Sequence, residues 1–195
     1  SESLKELRQD AQEAVRKIEE FDGKIRLVGQ YDADGISATA IAHQMLERAG
    51  KDFEYEIIKQ LYEEDVKRLA EEDEGLILFV DIGSGKASDI ERILADEKEV
   101  VVSDHHEPSE EGSFTHMNPH FSGIDGGEAI SAAGMTFTLA HEYDENNIDL
   151  VELALIGATG DMQKQGGEFM GLNSELEELA LENNIVEKRR GLDLY

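Results

Sequence analysis

The sequence predicts an α/β fold: a mostly parallel, open sheet with helices on both faces, in a single domain over residues 1–195. Three observations point there. Helical and strand patterns alternate through the first hundred residues. The gaps between successive strands are too long for hairpins and carry helical periodicity, as parallel crossovers require. GLILFV (75–80) is almost wholly apolar, which suits a strand covered on both faces.

The elements follow in order. Leu4, Leu7, Ala11, Ala14, Val15, Ile18 and Phe21 form one apolar stripe at helical spacing over 2–21, and Asp22-Gly23 ends it. KIRLV (24–28) is a short strand, and 36–49 is a helix closed by Gly50. FEYEIIK (53–59) is a strand, 62–72 a polar helix, 75–80 the buried strand, 86–96 a helix and EVVVS (99–103) another strand. Beyond residue 108 the rhythm loosens: 116–128 reads as a loop rich in Gly, Asn and His. Helices are expected at 130–142, 148–158 and 174–183, with a turn at GATGDMQ (157–163). Lys188, Arg189 and Arg190 form the one basic cluster, and LDLY (192–195) reads as the start of a further element.

Composition narrows the function classes. There is no cysteine, so thiol nucleophiles, Cys-ligated zinc and disulfides are excluded. No apolar run reaches the ~18–20 residues of a membrane span, and there is no signal-peptide pattern at the start; a cytoplasmic location is expected. The 18 basic and 45 acidic residues give a net charge of −27. The acids are spread along the chain, so they read as a solvated surface of the kind found in salt-loving organisms. An acidic face for a basic partner is the alternative.

The chemistry-bearing residues cluster just past strand ends. Asp32 and Asp34 follow the first strand, Asp81 follows the buried one, and Asp104, His105 and His106 follow the next. Asp161 sits in a Gly-flanked turn. In an open parallel sheet that edge is the ligand crevice. Four or five carboxylates gathered there would repel one another unless cations neutralise them. Hard divalent ions take oxygen ligands, and manganese also accepts imidazole. Such sites split phosphate esters and anhydrides. In that reading His105 ligates a metal, His106 faces the substrate phosphate and Asp104 accepts an N–H that fixes an imidazole. Taken singly, each feature has an ordinary explanation as a turn residue or helix cap. His43 and His141 read as packing residues, and His116 is unassigned.

DADG, VDIG, SDHH and GDMQ, in that order, resemble the four motifs of the DHH phosphoesterases. KQL (59–61), DIGSG (81–85), DHHEP (104–108), NPH (118–120), IDGGEAISAAG (124–134) and GLNSELEEL (171–179) resemble archaeal RecJ-like proteins, among them a nuclease that associates with the GINS replication complex. The resemblance implies Mn2+ or Mg2+ at up to two positions. Asp81 would bridge them; Asp34, His105 and Asp161 would complete one position and Asp32 would help build the other. Asp81, His105 and His106 would be the catalytic set, with His106 on the scissile phosphate. Gln30, His106, Asn118, His120, Gly126 and Gly127 would lie along the substrate channel. The DHH-associated C-terminal domain of the family is expected to be absent from this chain.

One position departs from the family pattern. Active relatives place a His or Asp two or four residues before the first motif Asp, where this chain has Gln30 and Val28. Valine cannot ligate, and an amide oxygen is a weak neutral ligand. Three functions follow: an exonuclease acting on single-stranded nucleic acid or short oligonucleotides, a weakened scaffold that binds GINS, and a small-molecule phosphodiesterase or pyrophosphatase.

Overall fold

The computed structural model describes residues 2–189, with side chains from residue 7 onward. The Leu4 side chain, Arg190 and LDLY therefore lie outside the described residues. Five strands form one sheet: β1 (Ile25–Gln30), β2 (Phe53–Ile58), β3 (Leu76–Val80), β4 (Glu99–Ser103) and β5 (Thr115–Met117). Their order is β2-β1-β3-β4-β5, and every pair is parallel.

Side-chain alternation explains why both faces are covered. Leu76, Leu78 and Val80 of β3 join Ile25 and Leu27 in one cluster, packed by α1 (Glu2–Glu20), α2 (Ala33–Arg48), α5 (Ala132–Tyr143) and α6 (Val151–Gly160). Ile77 and Phe79 join Val28, Val100 and Val102 in a second, packed by α3 (Glu63–Glu71) and α4 (Ala87–Ile93). The helix stripe read from the sequence is the buried face of α1: Leu7, Ala11, Ala14, Val15 and Ile18. No described helix is long and apolar enough to cross a membrane.

Four local differences from the sequence reading bear on the site. First, α2 starts at Ala33, three residues earlier than expected, because Asp32 caps it through Oδ1, which accepts from Gly35 N at 2.9 Å. Second, β5 overlaps the start of the stretch read as a loop. Its three residues are too few to show a period, yet they pair in register with β4. Third, the 148–158 helix divides into a 3-10 segment, Glu145–Leu150, followed by α6, which runs on to Gly160. Asp161 is consequently the C-cap of a helix. Fourth, β6 (Lys164–Gln165) and β7 (Glu168–Phe169) make a small antiparallel hairpin before α7 (Gly171–Glu182). The basic cluster is not a free patch: Lys188 pairs with Glu168 at 2.6 Å and Glu177 at 3.1 Å, and Arg189 pairs with Glu187.

Candidate metal centre

The sheet grows outward from β1 in both directions, to β2 on one side and β3 on the other. That reversal opens a crevice past the carboxyl ends of β1 and β3. β1 leads into Gln30 to Asp34, β3 into Asp81, and β4 into Asp104 to His106. The α5 and α6 helices close one flank.

Two groups of ligand-type atoms converge there: Asp34, His105 and Asp161 in one, and Asp81, Asp104, His105 and His106 in the other. Within each group the atoms lie inside 4.8 Å of one another. His105 is common to both. Its Nε2 stands 3.4 Å from Asp81 Oδ1, 3.7 Å from Asp34 Oδ2 and 3.9 Å from Asp161 Oδ2. Its Nδ1 is 2.7 Å from the Gly126 carbonyl, which can accept only an N–H. That bond fixes the ring and turns the Nε2 lone pair toward the carboxylates.

Asp34 is held at the amino end of α5. Its Oδ2 accepts from Ala132 N at 2.7 Å and its Oδ1 from Ala133 N at 3.0 Å. Helix N–H groups and the helix dipole favour a carboxylate at that point. Burial nevertheless outweighs them and raises the Asp34 pKa. Close packing makes this possible: a Cβ on Gly157 of α6 would stand 2.4 Å from Asp34 Oδ1. Gly126 is equally confined, since a Cβ there would meet the His105 carbonyl oxygen at 2.0 Å.

Asp81 is the most constrained member. It adopts φ 59°, a left-handed conformation unusual for a residue with a side chain. Its Oδ1 is buried with no hydrogen-bond partner. Burial raises its pKa to about 8, helped by the charges of Asp34 and Asp104 and opposed by His105. Burial acts to lower the His105 pKa, but Asp81, Asp104, the Gly126 carbonyl and Asp34 outweigh it and hold it near 10. The field that retains a proton among these groups equally favours a cation.

Asp104 has a different role. Its Oδ1 accepts from His105 N at 2.8 Å, His106 N at 3.2 Å and His106 Nδ1 at 2.8 Å, and its Oδ2 accepts from Ser84 N at 2.9 Å. Burial would raise its pKa; the His106 N–H, both imidazoles and Ser84 N outweigh this and hold it well below the usual carboxylate range. With its oxygens spent, Asp104 orients His106. The half-exposed His106 ring has its pKa raised, chiefly by that bond.

The remaining sequence candidates fall into place around this centre. Asn118 is fully buried; its amide donates to Ser84 Oγ and the His106 carbonyl, both at 2.8 Å, and its Oδ1 caps the turn at His120 N. It supports the loop and does not line the crevice. His120 Nε2 is 3.1 Å from the His105 carbonyl, and Gly127 is exposed beside Asp125. Asp32 belongs to neither group of ligand atoms. It reaches the centre through Gln30, whose amide nitrogen, turned toward the carboxylates, donates to Asp32 Oδ2 at 2.7 Å and Asp81 Oδ2 at 3.2 Å. Val28 is fully buried among the sheet's apolar side chains. His43 packs edge-on against Phe53 and Tyr55, and His141 stacks on Phe137.

Gln163 was missed as a working residue. It is buried, donates to the Gly126 carbonyl and Asp161 Oδ2, both at 2.8 Å, and accepts from Asn173 at 2.6 Å. Its presence in GATGDMQ, two residues past Asp161, was the available signal. The donor set of carboxylate oxygens and one imidazole nitrogen, with an orphaned buried oxygen on Asp81, fits a hard divalent cation of the Mn2+ or Mg2+ kind.

The model of the DHH family's N-terminal domain matches residues 24–159. The chain belongs to the DHH family. Among curated relatives of this DHH chain, an uncharacterised protein of Methanocaldococcus jannaschii is 34% identical over all of it and 47% of the relative's own length. The single-stranded-DNA-specific exonuclease RecJ of Thermus thermophilus is 31% identical over 82% of the DHH chain and 25% of its own length. A crystal structure of exonuclease RecJ bound to manganese superposes with a TM-score of 0.70 and 27% identity, covering 90% of the DHH chain and 47% of RecJ. The chain thus spans less than half the length of these relatives and corresponds to the RecJ-like N-terminal domain, with a phosphoesterase-type fold.

Proposed function

We propose that this domain is the catalytic unit of a RecJ-like phosphodiesterase that hydrolyses single-stranded nucleic acid or short oligonucleotides with Mn2+ or Mg2+, up to two ions. One observation carries the reading. Asp34, Asp81 and Asp161, from three separate chain segments, each place a carboxylate oxygen within 3.9 Å of His105 Nε2, and Asp81 Oδ1 there lacks a hydrogen-bond partner.

Divalent ions, when bound, supply Lewis acidity and water of lowered pKa. Asp34, Asp81, His105 and Asp161 are the residues that would hold them, with Asp32 reaching in through Gln30. The Gly126 carbonyl keeps His105 in the tautomer whose Nε2 can ligate. Asp104, held ionised, accepts from His106 Nδ1 and favours the charged form of that imidazole. A fixed cation beside the scissile phosphate stabilises the charge that builds in the transition state.

The test is manganese-dependent nucleotide release from an end-labelled single strand. Asp81→Ala should lower the rate by roughly 10³-fold or more, the scale of losing one preorganised electrostatic group. Equal rates for the variant and the parent would refute the reading.

The burial of Val28 and the neutrality of Gln30 favour a second reading: a catalytically weakened scaffold that binds GINS. It expects no manganese-dependent cleavage and GINS capture that survives Asp81→Ala; failure to bind GINS at any salt would remove it. The charge of −27 favours a third, a small-molecule phosphodiesterase, since long polyanions meet the greatest repulsion.

A further inference from the structure

A cavity of about 360 Å³, within the size range of small-ligand sites, opens at the metal centre. Asp81, Asp104 and His106 line it together with Tyr31 and Lys59. Tyr31 stands immediately before the first motif aspartate, and the residue is 54% exposed. Lys59, at the end of β2, sets its Nζ 5.8 Å from the centre of that ring. Among the described residues no carboxylate lies within ion-pairing distance of Lys59. In a chain with 45 acidic and 18 basic residues, an uncompensated cation calls for an explanation. Lys86, which also lines the cavity, is 3.3 Å from Asp89.

We propose that Tyr31 and Lys59 form a nucleotide subsite next to the reacting phosphate, the ring stacking a base and the ammonium pairing with an adjoining phosphate. This rests on the phosphodiesterase reading and names the residues that would hold the nucleotide beside the reacting phosphate. Three features of the cavity support it. An aromatic face open to solvent accepts any base, because every base has a π-face. A cation already placed at the ring adds attraction for the same partner. Lys59 gives the phosphate chain a positive contact in a cavity that also holds the carboxylates of Asp81 and Asp104. A base-free substrate such as inorganic pyrophosphate would leave Tyr31 without work to do.

The experiment compares two fluorescent pentamers of equal charge, oligo-dT and its fully abasic counterpart. Stopped-flow anisotropy in manganese reads binding before turnover. The unaltered chain should bind oligo-dT roughly 10-fold more tightly than the abasic strand. Tyr31→Leu should erase that preference, and Tyr31→Phe should keep it. Lys59→Gln should weaken both strands equally and reduce the salt slope by about 0.7, as one lost phosphate contact predicts. Equal binding of the two strands by the unaltered chain, or a preference that survives Tyr31→Leu, overturns the proposal. Asp81→Ala is assayed for cleavage in parallel. Undiminished cleavage there would overturn the phosphodiesterase reading and leave the base preference standing, so the two failures are separable.

Discussion

The two flanks of the crevice are built to different standards. On the α5–α6 flank every ligand-type side chain is held by a neighbour: Asp34 by two helix N–H groups, His105 by the Gly126 carbonyl, Asp161 by the Gln163 amide. On the β1–β2 flank Val28 is lost to the core, Gln30 carries no charge, and Asp32 is exposed and shared with a helix cap. Orienting bonds of this outer kind are worth roughly 10–100-fold in metal affinity. The difference teaches that two flanks of one crevice need not be equally preorganised: on the proposed reading, a second ion would find fewer fixed ligands on the β1–β2 flank.

The strongest way to break that comparison is to disarm the organised flank. Asp34→Asn removes a charge and turns an amide NH2 toward one of two N–H donors it cannot satisfy. Manganese affinity by calorimetry should fall by more than about 100-fold, beyond the loss of an orienting partner alone. Unfolding in EDTA should lose about 1–3 kcal/mol for the unmatched buried donor. An affinity that stays within a few-fold of the parent would place the ion elsewhere.

A second test asks whether burial or the carboxylates set the imidazole chemistry. His116 serves as the contrast. It is nearly as buried as His105, but its Nε2 meets only the neutral Ser84 hydroxyl, at 2.8 Å. Burial lowers its pKa to about 4, whereas carboxylates carry His105 the other way. The sign follows directly. Between pH 6.5 and about 4 the unfolded chain takes up a proton that folded His116 refuses, so this contribution is present above the window and is lost as pH falls through it. The loss amounts to at most about 3 kcal/mol. Urea unfolding in EDTA, as a difference between the parent and His116→Gln, should show that slope and level off below pH 4. A flat difference curve would mean that burial alone does not govern buried imidazoles here.

How much of this was legible beforehand depends on how far apart the partners lie in sequence. Asp81, Asp104, His105 and His106 stand directly after strands whose apolar runs are unmistakable, so the crevice could be read from the order of the elements. The supports could not. The α5 N–H groups that hold Asp34 come from 98 and 99 residues away, and the Gln163 amide reaches a carbonyl 37 residues back. No local pattern records such pairings. β5 was hidden for another reason: three residues among Gly, Asn and His carry no period, and the strand owes its existence to β4 beside it. Tyr31 and Lys59 are separated by α2 and β2, and parallel pairing of β1 with β2 brings the ends of the two strands to one edge.

The smallest expected effect tests the β1–β2 flank. Gln30→Glu keeps the shape of the side chain and exchanges a neutral amide for a carboxylate. In EDTA it forfeits the two amide donations to Asp32 and Asp81 and adds a carboxylate to an acidic cluster. The melting temperature should therefore drop. With manganese the sign reverses, since ligand charge tunes the affinity of hard-ion sites. Affinity should rise about 10-fold, equivalent to about 1.4 kcal/mol. Calorimetric stoichiometry should move closer to two ions per chain. The opposed signs are the informative feature, because a merely structural glutamine would give a loss in both conditions. Loss in both would leave this flank without a metal role and the organised flank holding a single ion.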